Sequence, residues 1–591
     1  MLLQRLREYA DERLKLPPRL YAESPVRYVV DLDATGRLLS RQPIDTADPT
    51  RPRTRRGQRR LVPQVQRASG VKPLLLADNA EYTFGQGRET SRPERVAACH
   101  RAYLDLVERC AAATREPAVE AVLSFLRADP ASQLELPDEF DRGATITFRV
   151  DEVFPIDLPS VQAFWAAEHD PGAAPDGAAR ILQCLVCGEK RPALDRLQAK
   201  IKGVPGGQTS GTALISANAS AFESYGLRAS LIAPTCAECG ERFTKAANDL
   251  LSREANRIVL GGAAFVFWTR EDVGFSVREF LDNPQPEQVR DLLAGALTGR
   301  RTPDVDDTAF YATVLSGSGG RAVVRDWIDT TVGEAKRHLK DWFDRQSVVG
   351  AYGEEPRPLG LYALAAATVR DPRTDLAPPV PRALLRAALT GAPLPFDLLY
   401  QAVRRNRAEQ GMTRQRAALI KLVLRSQQPA DKEDTMVRLD PENPSAAYRC
   451  GRLLAVLEEV QRLAVPRAKA TIVDRFFGTA SSAPASVFGR LIRGAQPHLA
   501  KLERDRPAAH VALQRRLEEI QAGLSGFPRT LTLEDQGLFA LGYYHQRAFD
   551  RAQAREAGER RKAGPVAAAE SAALTEAFPE NGLPETGEEE N

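Results

Sequence analysis

Two cysteine pairs constrain this chain more than any other feature. They are Cys184 and Cys187 in CLVCGE, and Cys236 and Cys239 in CAECGERF, with 48 residues between the second and third cysteine. Two C-x2-C pairs together offer four thiolates, the donor set of a tetrahedral zinc site, and such a site forces two distant stretches of chain to one point. Glycine follows each pair, as Gly188 and Gly240. At such a position it permits the tight turn that aims backbone N–H groups at sulfur. The gap exceeds an ordinary ribbon loop, so the spacing predicts an insertion between two knuckles. A redox pair needs one C-x-x-C rather than two, and chance proximity is the remaining alternative. A site closed by four thiolates leaves no position for substrate, so the expected role is structural.

The remaining cysteines add no disulfide framework. Seven in 591 residues is a low and odd number, which suits a reducing compartment and an expected cytoplasmic location. The first residues, MLLQRLREYADERL, are charged and amphipathic and lack the apolar centre of a secretory signal. The most apolar run, IVLGGAAFVFW at 258–268, is too short to cross a bilayer and reads as one buried strand, so no membrane partner is expected. The net charge is +3, which confines any nucleic-acid surface to a local patch.

The length calls for more than one domain. The first part reads as mixed α/β. A helix is expected over 1–14, and VRYVVDLD (26–33) alternates Val26, Tyr28, Val30 and Leu32 as a half-buried strand does. Ala34-Thr35-Gly36 then turns toward Leu38 and Leu39, which predicts a hairpin. Further strands are expected at PLLLAD (73–78) and TITFRV (145–150), with helices over 93–113 and 117–127. From about 285 the pattern turns mainly helical. Leu453, Leu457, Val460 and Ala464 form one stripe, opposite Arg452, Glu458, Glu459 and Arg462. Leu513, Leu517, Ile520 and Leu524 form another, and Thr532 with Asp535 reads as a capping box. Loops are expected at 371–382 and 426–444. The resulting class is α+β. A mixed domain spans 1–284, with a zinc-ribbon-like element at about 180–245. A mainly helical region spans 285–435, a helical bundle 436–550, and a charged, disordered tail 551–591.

Nucleic-acid chemistry is suggested at three places. RPRTRRGQRR holds six arginines in ten residues. Of these, Arg53, Arg55, Arg56, Arg59 and Arg60 are candidates for phosphate contact, against the alternative of a solvated segment. Lys72, ahead of PLLLAD, is a candidate of the same kind. The stretch IKGVPGGQTSGTALISANASAFESYG (201–226) carries Gly203, Gly206, Gly207 and Gly211 near Lys202 and Gln208, then leads to Asn218, Ser220 and Tyr225. It lacks the G-K-[ST] of a phosphate-binding P-loop, and reads either as a mobile surface loop or as a loop approaching a groove. The six histidines include a single His-Asp pair, His169-Asp170. No serine-hydrolase elbow, nucleotide motif or carboxylate cluster accompanies it, so the chain is expected to be non-catalytic.

Several stretches together resemble the large subunit of the type I-C CRISPR Cascade complex. They are LLQRLREYADERL, PVRYVVDLDATGRLL, LADNAEYTFG (76–85), LISANASAFESYG, FVFW (265–268) and FPRTLTLEDQGLFALGYYHQRA (527–548), in the family's order. The resemblance implies a subunit without catalysis that works with crRNA, target duplex DNA, the backbone, handle-processing and small subunits of Cascade, and a separate helicase–nuclease. It implies PAM reading, strand separation, holding of the displaced strand and recruitment of that nuclease. It also implies that the C-terminal bundle exists as a separate small subunit made by internal translation. Asn79 and Tyr82, in LADNAEYTFG, thereby join Lys202, Gln208 and Asn218 as candidates for PAM reading. Two other readings are a metal-dependent nuclease using the cysteines with His169-Asp170, and a zinc-ribbon scaffold that binds only protein.

Overall fold

The structure is a computed structural model that describes residues 1–47, 57–65, 70–169, 180–197, 199–217, 219–297, 303–429 and 436–576. The chain forms two compact units. The first comprises Met1–Ser252 with Ser316–Val323, and the second Arg253–Leu315 with Val324–Asn591. The first unit thus runs to Ser252 and takes in the hairpin tip Ser316–Val323. The strands that follow Ser252 find their partners in the second unit's sheet.

The first unit is built on a four-stranded sheet ordered Ile44–Asp45, Tyr28–Leu32, Ile146–Val150, Ala77–Asp78. Tyr28–Leu32 lies parallel to Ile146–Val150, with Val30 opposite Phe148. Being central, it buries Val29 as well as Tyr28, Val30 and Leu32, so the half-buried alternation expected of it does not appear. The hairpin forms in a short version. The Asp33 carboxylate accepts the Thr35 and Arg37 N–H groups, Gly36 takes φ +84°, and the turn returns the chain antiparallel, bridging Leu32 to Leu38 with the Leu39 N–H on the Asp31 carbonyl. Ile44–Asp45 then pairs with Tyr28–Val29 as the edge of the sheet. PLLLAD contributes only Ala77–Asp78, because Leu76 sits at φ +56°, where a strand cannot continue. Helices Pro93–Thr114 and Pro117–Arg127 form as expected, and Tyr103, Leu106, Val107, Phe125 and Trp165 join Phe148 in the core.

The second unit holds a sheet that the helical reading after 285 did not contain, ordered Arg321–Thr331, Ala309–Ser318, Ala263–Thr269, Arg257–Leu260. The run 258–268 is two strands rather than one. Gly261 and Gly262, at φ +58° and +72°, make a two-residue turn that places Ala263 opposite Leu260. Around this sheet lie helices including Val332–Gln346, Pro379–Thr390 and Arg414–Ser426, the second of which begins inside the loop expected at 371–382. Ala446–Ala464 and Pro507–Ala522 form where their stripes predict. The Thr532–Asp535 capping box opens Leu533–Glu576. That helix crosses the start of the tail expected at 551; residues 577–591 lie outside the described residues. One face was misread. Arg452, Glu458 and Glu459 are buried rather than solvated, because Leu533–Glu576 packs against them and supplies polar partners. Among the described residues no helix is long and apolar enough to cross a membrane.

Candidate metal centre and nucleic-acid surface

The first cysteine pair sits at the tip of a short hairpin, Ile181–Gln183 with Lys190–Pro192. There Cys184 N–H donates to the Glu189 carbonyl and Gly188 N–H to the Cys184 carbonyl. Gly188, at φ +78°, provides the turn expected of it. The second pair belongs to a helix start: Cys236 precedes Ala237–Ser252 and Cys239 lies in its first turn. Gly240 therefore makes no turn. It is helical, and a Cβ there would stand 2.6 Å from Leu197 Cδ2, so its role is to admit that side chain.

The four Sγ atoms lie within 4.8 Å of one another. Tetrahedral zinc at the usual Zn–S distance of about 2.3 Å separates its sulfurs by about 3.8 Å. The donor set and its spacing therefore fit a metal ion of that kind. The Cys236 N–H also points at Cys184 Sγ, 3.4 Å away. Three of the thiols are buried and Cys187 is half-buried. The Cys236 thiol is lowered to about 5, chiefly by hydrogen bonding with the Cys239 thiol, which in turn rises well above its ordinary range for the same reason. A divalent ion held by all four sulfurs would favour the thiolate form that Cys236 already leans toward. Burial alone would lower the Arg7 guanidinium, but Cys239, Asp11 and Cys187 raise it overall, which puts a positive charge beside the sulfurs. The N-terminal helix Leu2–Arg13 reaches this position by packing on Ala237–Ser252, with Tyr9 Oη donating to Asp249 at 2.7 Å.

The insertion between the pairs is braced, not loose. Ile201 and Thr212 exchange backbone hydrogen bonds, and the segment pairs with the hairpin tip Ser316–Val323. Gln208 N–H donates to the Gly319 carbonyl at 3.0 Å, Gly317 N–H to Pro205 at 2.6 Å and Ala213 N–H to Gly320 at 2.8 Å. A Cβ on Gly317 would lie 2.2 Å from Gly207 N, so both glycines serve a close backbone approach. Asn248 holds the segment from the other side, accepting the Lys202 N–H at 2.7 Å and donating to the Lys200 carbonyl at 3.1 Å. Over 201–213 the backbone is thus held by hydrogen bonds on both sides, and Lys202 and Gln208 extend from it into solvent.

Other sequence candidates fare differently. Tyr82 is 4% exposed and its hydroxyl accepts the Lys72 N–H at 3.2 Å; it is a core residue and offers no base-reading edge. Asn79 caps the short helix Ala80–Thr83 by accepting the Glu81 N–H at 3.1 Å, so its amide oxygen is engaged locally. The Lys72 side chain is exposed. Arg59 pairs with Glu23 at 3.3 Å, and Arg60 with Asp157 at 2.8 Å while stacking on Phe154. Arg53, Arg55, Arg56, Asn218 and Asp170 lie outside the described residues. His169 packs against Trp165 with the rings tilted by 51° and Nδ1 3.1 Å from its carbonyl, and burial lowers it below the ordinary histidine range. It is not among the grouped cysteine ligands.

Two features escaped the sequence. A cleft of about 540 Å³ is lined by Arg19, Lys200, Lys202, Lys245 and His169, with Glu241 as its acid, held by Lys245 at 2.6 Å. These cations come from separate stretches, so no local pattern announces them. The second is Tyr225, whose ring is 98% exposed on a backbone at φ +55°. With Gly226 at φ +67° it makes a two-residue turn in which the Leu227 N–H reaches the Ser224 carbonyl at 2.9 Å, and a bulky residue there carries a strain of about 1–3 kcal/mol. The aromatic residue in ESYG was the available signal.

Residues 2–549 match the family model of the CRISPR-associated protein (Cas_Csd1). No curated protein matches the chain.

Proposed function

The chain belongs to the CRISPR-associated Csd1 family, and from that premise we propose that it is the non-catalytic large subunit of a type I-C crRNA-guided surveillance complex, reading the PAM and opening the target duplex. The observation that carries this is the family match over residues 2–549. Membership makes the chain a Cascade subunit, with crRNA and the other Cascade subunits as partners. Target duplex DNA, the helicase–nuclease and a cytoplasmic setting belong to the proposal.

The first unit supplies the means. A fixed loop presents Lys202 and Gln208, and base reading requires groups held at a defined distance from a groove edge. The adjacent cleft offers Arg19, Lys200 and Lys245, whose charge suits the phosphate backbone that supplies most sequence-independent affinity. Tyr225 is an exposed ring of the sort that inserts between base steps, and unstacking one step costs a few kcal/mol, within reach of a handful of phosphate contacts. The four cysteines would hold zinc as a staple beneath this surface, keeping the hairpin at 181–192 on the helix start at Cys236.

The test is binding of the assembled complex to duplexes with and without the PAM. Lys202→Ala and Gln208→Ala are each expected to weaken PAM duplex by about 1–3 kcal/mol while sparing the other duplex. Loss on both duplexes alike would reduce these residues to phosphate contacts, and no loss would remove them from the reading.

A further inference from the structure

The LGYYHQ segment (541–546) has so far no role beyond family likeness. In the structure it forms one wall of a cleft of about 630 Å³ in the second unit, lined among others by Arg438, Arg452, Arg515, Arg516, Gln546 and Phe549. Four arginines face it, against Glu519 as the one acid lining it. Two of them are fixed. Arg452, 2% exposed, donates to Gln546 Oε1 at 3.1 Å, Glu519 at 2.8 Å and the Pro441 carbonyl at 3.1 Å. Arg516 reaches Asp550 at 2.9 Å, and its guanidinium lies 5.4 Å from the Phe549 ring centre. The other two are less committed. Arg438 meets Glu355 at 3.5 Å with both side chains mostly exposed, and Arg515 is exposed with no ion pair among the described residues.

At the inner wall stands His545, fully buried. The Tyr448 hydroxyl accepts the Asp440 N–H at 3.2 Å and lies 2.9 Å from His545 Nδ1. The ring's other nitrogen, Nε2, has no hydrogen-bond partner among the described residues. An unpaired buried polar atom costs about 1–3 kcal/mol, so a ligand group that pairs with it would be rewarded. Burial, followed by the nearby Lys421 charge, lowers this histidine to about 3, so the ring is neutral.

We propose that this cleft seats one nucleotide of a single-stranded nucleic acid, with the phosphate at Arg515 and Arg438 and the base on Phe549. Its volume lies within the range of about 300–1,000 Å³ that takes a small organic group, and a bare anion would leave the apolar wall of Val349, Ala512 and Phe549 uncovered. Phe549 is 38% exposed, as a stacking platform must be. A base stacked within a duplex cannot enter, which selects a single strand. The inference rests on the nucleic-acid reading above, and names where such a strand would be held.

The test uses the full chain and a fluorescent oligothymidylate, followed by anisotropy over a range of salt. Arg515→Gln with Arg438→Gln should lower the salt slope by about 0.7 for each phosphate no longer neutralised. Phe549→Ala should weaken binding about five- to 150-fold, and Phe549→Trp should restore it. PAM-duplex binding should be unchanged in all three. Variants that hold the oligonucleotide as tightly as the parent overturn the proposal. So does displacement of the strand by thymidine monophosphate at equal nucleotide concentration, which would give the cleft to a free nucleotide. A parent chain that binds PAM duplex but not the oligonucleotide refutes the cleft alone; one that binds neither refutes the functional reading as well.

Discussion

Gly542→Ala is expected to destabilise the second unit, and the reason lies in one helix crossing. Gly542 is in Leu533–Glu576, and a Cβ there would stand 2.1 Å from the Tyr448 carbonyl oxygen. Gly451, on the facing helix Ala446–Ala464, has the reciprocal relation to the Phe539 oxygen at 2.0 Å. The methyl is thus about 1.3 Å short of the 3.4 Å at which ordinary contact begins, and the obstruction is backbone on both sides. If the crossing stays closed, overpacking costs about 1–3 kcal/mol. If it opens by that distance, it stretches Tyr448–His545 at 2.9 Å, Tyr543–Glu458 at 2.8 Å and Arg452–Gln546 at 3.1 Å, at about 1 kcal/mol each. Alanine returns about 1 kcal/mol of helix propensity. The net is a loss of up to about 2 kcal/mol in either case, and close to that value if the crossing opens. At about 2–4 °C per kcal/mol the open crossing lowers the melting temperature of that unit by about 4–8 °C. Gly494→Ala is the control: it lies exposed in Phe488–Asp505 with nothing within 4 Å of a Cβ, and should gain up to about 1 kcal/mol. Calorimetry of the full chain resolves the two. A Gly542→Ala protein that melts with or above Gly494→Ala would refute the backbone-contact account.

The cysteine cluster predicts about one zinc per chain by elemental analysis, with Cys184→Ser plus Cys236→Ser losing the metal and destabilising the first unit; metal-free protein of unchanged melting temperature would end the zinc assignment. Neutralising Arg53, Arg55 and Arg56 should lower the salt slope of duplex binding by about 0.9 for each phosphate these arginines had neutralised. Arg59→Gln and Arg60→Gln, already facing Glu23 and Asp157, should leave that slope nearly unchanged, and the reverse order would contradict this division. Tyr225→Ala should leave stability intact, since the ring is exposed, yet reduce strand opening beside the PAM as read by 2-aminopurine fluorescence; undiminished opening would exclude the ring as a wedge.

The four-cysteine cluster was legible because its chemistry is local to four residues at fixed spacing, whatever lies between them. What could not be read was the setting of each pair. One glycine makes a turn and the other admits Leu197, a difference fixed by the helix that begins at Ala237. Periodicity found the helices but mistook the sides of Ala446–Ala464. Arg452 and Glu458 look like a solvated face until Gln546, Tyr543 and Arg547 arrive from about ninety residues away. The hairpin Ala309–Ser318 with Arg321–Thr331 did carry a signal, β-branched and aromatic residues around Gly-Ser-Gly-Gly, and was lost to the helical trend around it. Tyr82 and Asn79 show the limit of motif likeness. A recognisable stretch holds core and capping residues alongside any functional ones, and only burial and hydrogen-bond partners in the fold separate them.

The same helix pair decides where a separate C-terminal polypeptide could begin. The core shared by Leu453, Leu457, Phe477, Phe488, Leu513, Leu517 and Phe539 draws all its buried members from Ala447 to Tyr543. A start at Val487 would remove Ala446–Ala464, the helix against which the others pack, and leave single amphipathic helices that are marginal alone. A start at Val473 would remove that helix as well, together with Thr471, which caps Ile472–Ala480. Met436 keeps every helix of that core, and keeps Ser445, whose hydroxyl accepts the Tyr448 N–H at 3.3 Å. Such a fragment also carries an uncovered face, since Tyr448, Ala540, Leu541, Tyr544 and Ala548 bury themselves in the other core. It should therefore be found bound to a partner that covers those residues, not as a free monomer. Intact mass of small polypeptides co-purifying with the complex, from the native gene and from one with internal starts recoded, tests this. The expected fragment begins at Met436 and vanishes on recoding. A fragment beginning at Val473 or Val487 would refute the packing argument, and one that survives recoding would be a product of proteolysis.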